Sequence, residues 1–439
     1  DAKEDDDSSK EDEPELPEEF VGQLIKEIVM HEVGHSLGLR HNFRASAMLS
    51  LDEINDTSIT REKGMVGSVM DYSPINISPD PDQQGDYATT TIGPYDYWAI
   101  EYGYRHTDDE HKSEDELLSA IASRGNEPGL AYATDEDTSF TSPDPSVNRW
   151  DNGSDPVEYA KARMAMVDRL RKDIATWAVE DGESYSRLRR VFDALLGEYG
   201  RSAMFAARTI GGQYITRNHK GDANERPPFE IVPVKKQRAA LAFLSERVFS
   251  DSAFQFEPKL LNMLSPGRWR HWDSDDYDNP REYPVHDRIA AVQYWSLFQI
   301  LNPFTINRIY DAEMKVPATE DALTVPEVIS TTTDAIWSEL DRKLGSTKWT
   351  NRKPFVSSIR RNLQRAHLRT LIQIVLSRPG DTVPADAHAV VRLTLGKMSE
   401  RIGRLLAEDK NTKLDVTTRA HFDEAKARID RSLEAEFRL

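Results

Sequence analysis

Residues 31–41 read His-Glu-Val-Gly-His-Ser-Leu-Gly-Leu-Arg-His, a complete H-E-x-x-H-x-x-G-x-x-H string. At the His and Gly frequencies of this chain (11 and 22 of 439), its four His and Gly positions would coincide by chance in roughly 3 of 10,000 such chains. Accident is therefore a poor explanation, and the chemistry supplies a better one. His31 and His35 stand four apart, so on a helix their imidazoles project from one face a turn apart and can grip one Zn²⁺. Glu32 points partly to the same side, where it can hold a zinc-bound water as general base without ligating the metal. Gly38 tolerates the left-handed backbone that ends a helix and turns the chain back, which delivers His41 as third ligand. Three neutral nitrogens leave a fourth position open for water, as in a catalytic rather than a structural zinc site.

A helix must carry these ligands. Val21, Leu24, Ile25, Ile28 and Val29 repeat at three- and four-residue spacing, which predicts a helix over 20–39 that buries one apolar stripe and presents the histidines on another.

Two further strings extend the pattern: Ser68-Val69-Met70-Asp71-Tyr72, and Asp96-Tyr97-Trp98-Ala99-Ile100-Glu101-Tyr102-Gly103 after the breaker Gly93-Pro94. With the histidine string, they resemble the metzincin clan of zinc endopeptidases, and among these a bacterial group of large zinc-dependent metalloproteases with a helical C-terminal region. The resemblance implies that Met70 forms the Met-turn, a hydrophobic floor under the imidazoles. It also implies that Tyr72 is catalytic, either ligating zinc or bonding the tetrahedral intermediate, and that 96–103 is the closing helix. Metzincin domains also carry an upper subdomain built on a twisted sheet whose edge strand holds the substrate. Too little chain precedes the histidines here for that half, which is therefore expected to be missing from this chain and to be a partner belonging to the same protein. Asn42 does not match the residue that follows the third histidine in the astacin, serralysin, matrixin or adamalysin branches.

Composition bounds the remainder. Asp1–Phe20 holds eleven acidic residues against two lysines, out of a net charge of −19 over 439 residues, and reads as a self-repelling linker over 1–19. The overall acidity argues against a nucleic-acid partner. No run approaches eighteen consecutive apolar residues, so no membrane span is expected. The absence of cysteine excludes thiolate ligands and disulfides and suits a periplasmic or extracellular location, where stray thiols are a liability.

Beyond residue 105 the pattern is helical. Asp155-Pro156-Val157-Glu158 opens one helix with a cap, a first-turn proline and a glutamate. A second is predicted over 184–199, ending at Gly200, with others near 235–249, 286–301, 326–344, 355–377, 384–407 and 415–436. The acidic clusters Asp135-Glu136-Asp137 and Asp273–Asn279 lack the glycine and glutamate of an EF-hand loop and read as plain surface loops.

The expected fold is thus mainly α: a linker over 1–19, the lower metzincin-like catalytic half over 20–105, and an irregular α-helical bundle over 106–439, divisible near 220–235. The expected activity is zinc-dependent hydrolysis of peptide bonds in a protein or peptide substrate. The alternative is a non-catalytic binding or scaffold protein retaining the zinc fold; the intact Glu32 argues against it, since a structural site has no use for that carboxylate.

Overall fold

The computed structural model describes residues 16–107, 113–222, 224–267, 281–409 and 413–435. The acidic loop 273–279, His111, His271 and most of the acidic head lie outside these residues. The chain divides into two compact units. The first comprises residues up to Ser139 with Ser146–Asp155 and Thr216–Pro228, the second Phe140–Pro145, Pro156–Ile215 and Phe229 onward. Helices dominate both, and strands among the described residues are limited to β1 (Gln213–Ile215) and β2 (Phe229–Ile231), an antiparallel pair with Gln213 opposite Ile231. No helix among the described residues is long and apolar enough to cross a membrane.

The first unit holds α1 (Glu18–Ser36), α2 (Leu51–Ile54), α3 (Thr57–Lys63), α4 (Pro94–Tyr104) and α5 (Glu114–Ala122). Helix α1 forms where the spacing predicts but does not bury the predicted stripe. Val21, Ile25, Ile28, Val29, Val33 and Leu37 are between 39% and 60% exposed, while Gln23, His31 and Gly34 are its buried residues. Beneath the first half of α1 lies a polar network. Gln23 donates to Asp86 (2.9 Å) and accepts from the Tyr87 amide (2.6 Å), and Asp86 in turn holds Arg61 (2.7 Å). Periodicity finds the amphipathic helix, but which stripe faces the core is decided by what the rest of the unit offers. The short helices owe their ends to side-chain caps, a Ser50–Glu53 capping box on α2 and Asp56 on α3. Two small apolar clusters, Phe43 with Ala133 and Val147, and Leu49 with Ile54 and Met65, complete the unit.

The second unit is the irregular bundle. It comprises α6 (Pro156–Arg171), α7 (Ile174–Trp177), α8 (Ser186–Arg208), α9 (Val234–Arg247), α10 (Pro258–Leu261), α11 (Val285–Leu301), α12 (Pro303–Lys315), α13 (Val325–Ile336), α14 (Ser358–Leu376), α15 (Ala385–Glu408) and α16 (Val416–Glu434). One continuous core runs from Val157 to Ile429 through Phe192, Leu244, Ile300, Trp337, Leu371 and Ile402. Helix α8 does not stop at Gly200. The buried face continues through Ala203, Ala206 and Ala207, and a side chain at Gly200 would press on Val292 at 3.2 Å, so the glycine serves close packing and the helix runs on. Helix α12 has no predicted counterpart; Asn302 caps it by accepting from the Thr305 amide, with Pro303 in the first turn.

Candidate metal centre

The centre is built from the end of α1. His31 and His35 lie on it four residues apart, and two backbone bonds close the helix, Gly38 N–H to the His35 carbonyl and Leu39 N–H to the Gly34 carbonyl, both 3.0 Å. Gly38 has φ +85°, a conformation glycine adopts without cost. The chain reverses and brings His41 against the helix, its ring centroid 5.5 Å from that of His31 and 4.9 Å from that of His35.

Each imidazole is engaged through Nδ1. His31 meets the Val69 carbonyl (2.8 Å), His35 the Leu39 carbonyl (2.9 Å) and His41 the Asp135 carboxylate (3.0 Å). A carbonyl can only accept, so the proton of His31 and of His35 sits on Nδ1, and the ionised Asp135 imposes the same tautomer on His41. Nε2 is then the free nitrogen on each ring. The Nε2 of His41 is buried with no hydrogen-bond partner, and one ligand nitrogen from each histidine lies within 4.8 Å of the others. Burial lowers the pKa of His31, helped by its neighbours His35 and His41 and opposed by the Val69 carbonyl, which favours the neutral ligating form. Three neutral imidazoles with converging lone pairs fit zinc.

Residues 68–72 lie against these histidines. Met70 is fully buried, and a Cβ on Gly34 would come within 2.3 Å of its sulfur, so the residue directly before His35 must be glycine for Met70 to lie there. This turn is pinned by Asp96 of α4, whose carboxylate accepts from Ser68 Oγ (2.6 Å), the Val69 amide (2.9 Å) and the Gly93 amide (2.8 Å). Burial raises the Asp96 pKa, and those same three bonds work against it. Buried Asn42 ties the parts together: its amide donates to the Met70 carbonyl (3.0 Å) and its side chain to the Ala131 carbonyl (3.0 Å). Tyr72 joins the cluster, its ring 4.6 Å from His41 and 5.5 Å from His31. Glu32 is exposed on α1 beside His31.

Three contributors were not legible in the spacing. Asp135, Glu136 and Asp137 are no plain loop, for they bond His41, Arg40 and Arg217 respectively. Trp150, with φ +68°, stacks on Tyr72 at 5.4 Å and donates its amide to the Tyr72 carbonyl (2.8 Å); a bulky residue in that region is uncommon. Arg149 lies 4.6 Å over the Phe43 ring. All are remote in sequence from the histidine string, and only the tertiary fold brings them there.

The Met-zincin family model matches residues 13–344. The chain belongs to the Met-zincin family. Its zinc cofactor and its class, a zinc metalloprotease, follow from that membership, and the His31, His35 and His41 cluster can hold the ion. No curated protein and no solved structure matches the chain.

Proposed function

We propose that this Met-zincin is an endopeptidase with His31, His35 and His41 as zinc ligands, Glu32 as general base, Tyr72 as a second catalytic group and Met70 as the floor of the site. The observation that carries the reading is the use of all three Nδ1 atoms by hydrogen-bond acceptors, which leaves Nε2 of each ring for a metal, with one ligand nitrogen per ring within 4.8 Å of the others. Zinc, when bound there, supplies Lewis acidity toward a water and a peptide carbonyl. Glu32 accepts the proton of the attacking water at its carboxylate and hands it to the leaving amine nitrogen. Tyr72, packed between His41 and Trp150, offers its hydroxyl to the carbonyl oxygen under attack. The exposed apolar side of α1 supports a further layer of polypeptide above it, and an upstream sheet of the same protein would both cover it and hold an extended substrate by backbone bonds.

The test is casein cleavage by the protein and its Glu32→Gln variant at matched zinc content. Removing the base while keeping the ligands should lower turnover about 10²- to 10⁴-fold without loss of metal. Turnover equal to wild type would remove Glu32 from the mechanism, and zinc retained in full by His35→Ala would remove the ligand assignment.

A further inference from the structure

The three imidazoles are not held alike. His31 and His35 are fixed by α1 and donate to backbone carbonyls, whereas His41 lies beyond the helix and has a carboxylate behind it. That carboxylate belongs to a 3₁₀ turn, Asp135–Thr138, closed by Asp137 accepting from the Thr134 amide (2.8 Å) and by Thr138 Oγ1 donating to the Asp135 carbonyl (2.9 Å). The second oxygen of Asp135 accepts from Arg149 (2.9 Å), the Arg149 guanidinium lies 4.6 Å over the Phe43 ring, and that ring stands 5.1 Å from His41. The contacts form a closed circuit from His41 through Asp135, Arg149 and Phe43 back to His41. Neighbouring bonds brace it: Glu136 receives Arg40, the residue before His41, through both oxygens (2.9 and 2.8 Å), and Asp137 receives Arg217 (2.7 Å).

We propose that Asp135 is a positioning residue of the metal centre, holding His41 in the tautomer and orientation that present Nε2 to zinc. The inference rests on the reading of the three histidines as ligands. The physical need is specific to His41: helix geometry sets the other two ligands, but a ligand on a loop keeps its ring angle only through what its second nitrogen grips. A carboxylate also makes the ligating nitrogen a stronger donor than a carbonyl does, because it stabilises the positive charge that coordination draws onto the ring. Partners of this kind are worth about 10- to 100-fold in metal affinity. With its side chain 42% exposed, Asp135 belongs at the lower end, because solvent screens the interaction.

The experiment measures zinc affinity of the full 439-residue chain by competition with a chromophoric chelator, and the visible absorption of the Co²⁺-loaded protein. Asp135→Ala should weaken zinc about tenfold and shift the Co²⁺ bands. Asp135→Asn, which keeps the shape and an acceptor but loses the charge, should weaken it less and in the same direction. Glu136→Gln, which loosens the same turn but leaves the His41–Asp135 bond in place, should move both readouts much less than Asp135→Ala does. Zinc affinity of Asp135→Ala within twofold of wild type would overturn the proposal. So would equal weakening by Glu136→Gln, since the turn would then be a clasp with no particular bearing on His41. Thermal unfolding of the zinc-free forms guards against a folding defect, and the isosteric Asn variant decides if the Ala variant is unstable. A wild-type chain that takes up no zinc would instead overturn the ligand assignment, and the proposal with it.

Discussion

In the helical bundle, His367 accepts a hydrogen bond from Trp337 Nε1 (3.1 Å) and His421 pairs with Gln364 (2.8 Å) while its ring stacks on Trp337. His367 Nε2 and His421 Nδ1 have no partner, like His41 Nε2 at the metal centre. Burial pushes both bundle histidines down to about 3, with Arg365 and Arg361 adding to the effect on His421. They are neutral packing groups. A neutral imidazole with an idle nitrogen is thus no sign of a metal site by itself; at the metal centre one ligand nitrogen from each of three rings lies within 4.8 Å of the others. The two regions also differ in what holds them. The bundle has one long apolar core, whereas the metal-centre unit has clusters of three residues stitched by buried Asn42, Asp86 and Asp96.

That contrast predicts different failures. The largest effect on folding belongs to the bundle. Arg360 and Glu339 form a buried two-point ion pair (2.7 and 3.0 Å), with Arg360 also donating to the Ile336 carbonyl (2.7 Å). Glu339→Ala would strand a buried guanidinium and should cost about 3–5 kcal/mol, read as a lower urea midpoint for the bundle. A change under 1 kcal/mol would mean that water reaches the pair.

Next in size is Gly34→Ala, whose Cβ would collide with the Met70 sulfur. Overpacking of this kind costs about 1–3 kcal/mol, and because the collision lies between two ligands, zinc affinity should fall too. Adding Met70→Ala should recover part of both losses; strictly additive effects in that double-mutant cycle would show that the two side chains do not compete for one space.

The third effect is graded with pH, small at pH 7 and growing as the solution is acidified. His367 and His421 titrate near 3 in the folded bundle and near 6.5 when unfolded. The unfolded chain therefore binds more protons between these values. Their contribution is present in full above about pH 6.5 and is lost progressively as pH falls toward 3. Denaturant titrations at pH 7, 6 and 5 should show a steeper loss for wild type than for the His367→Gln, His421→Gln double variant. Parallel curves would place the acid sensitivity elsewhere.

What the residues declare by local spacing, they declare well. A four-residue interval on a helix and a left-handed glycine three residues later set His31, His35 and His41 because neither depends on distant chain. Helices such as α11 (Val285–Leu301), α14 (Ser358–Leu376) and α15 (Ala385–Glu408) follow periodicity for the same reason. The Asp135 partner of His41, 94 residues away, leaves no trace in spacing, since any exposed carboxylate reads alike until the fold places it. The uncovered stripe of α1 is the same lesson in reverse: alternation marks a helix as two-sided, and tertiary packing decides which side is covered. The three histidines and their order along the helix and turn were thus legible in sequence alone, through short-range helix geometry. The acceptors at each Nδ1, the burial of Met70 against Gly34 and the carboxylate behind His41 came only from tertiary structure, because a hydrogen bond needs its partner within about 3 Å and sequence distance carries no such information.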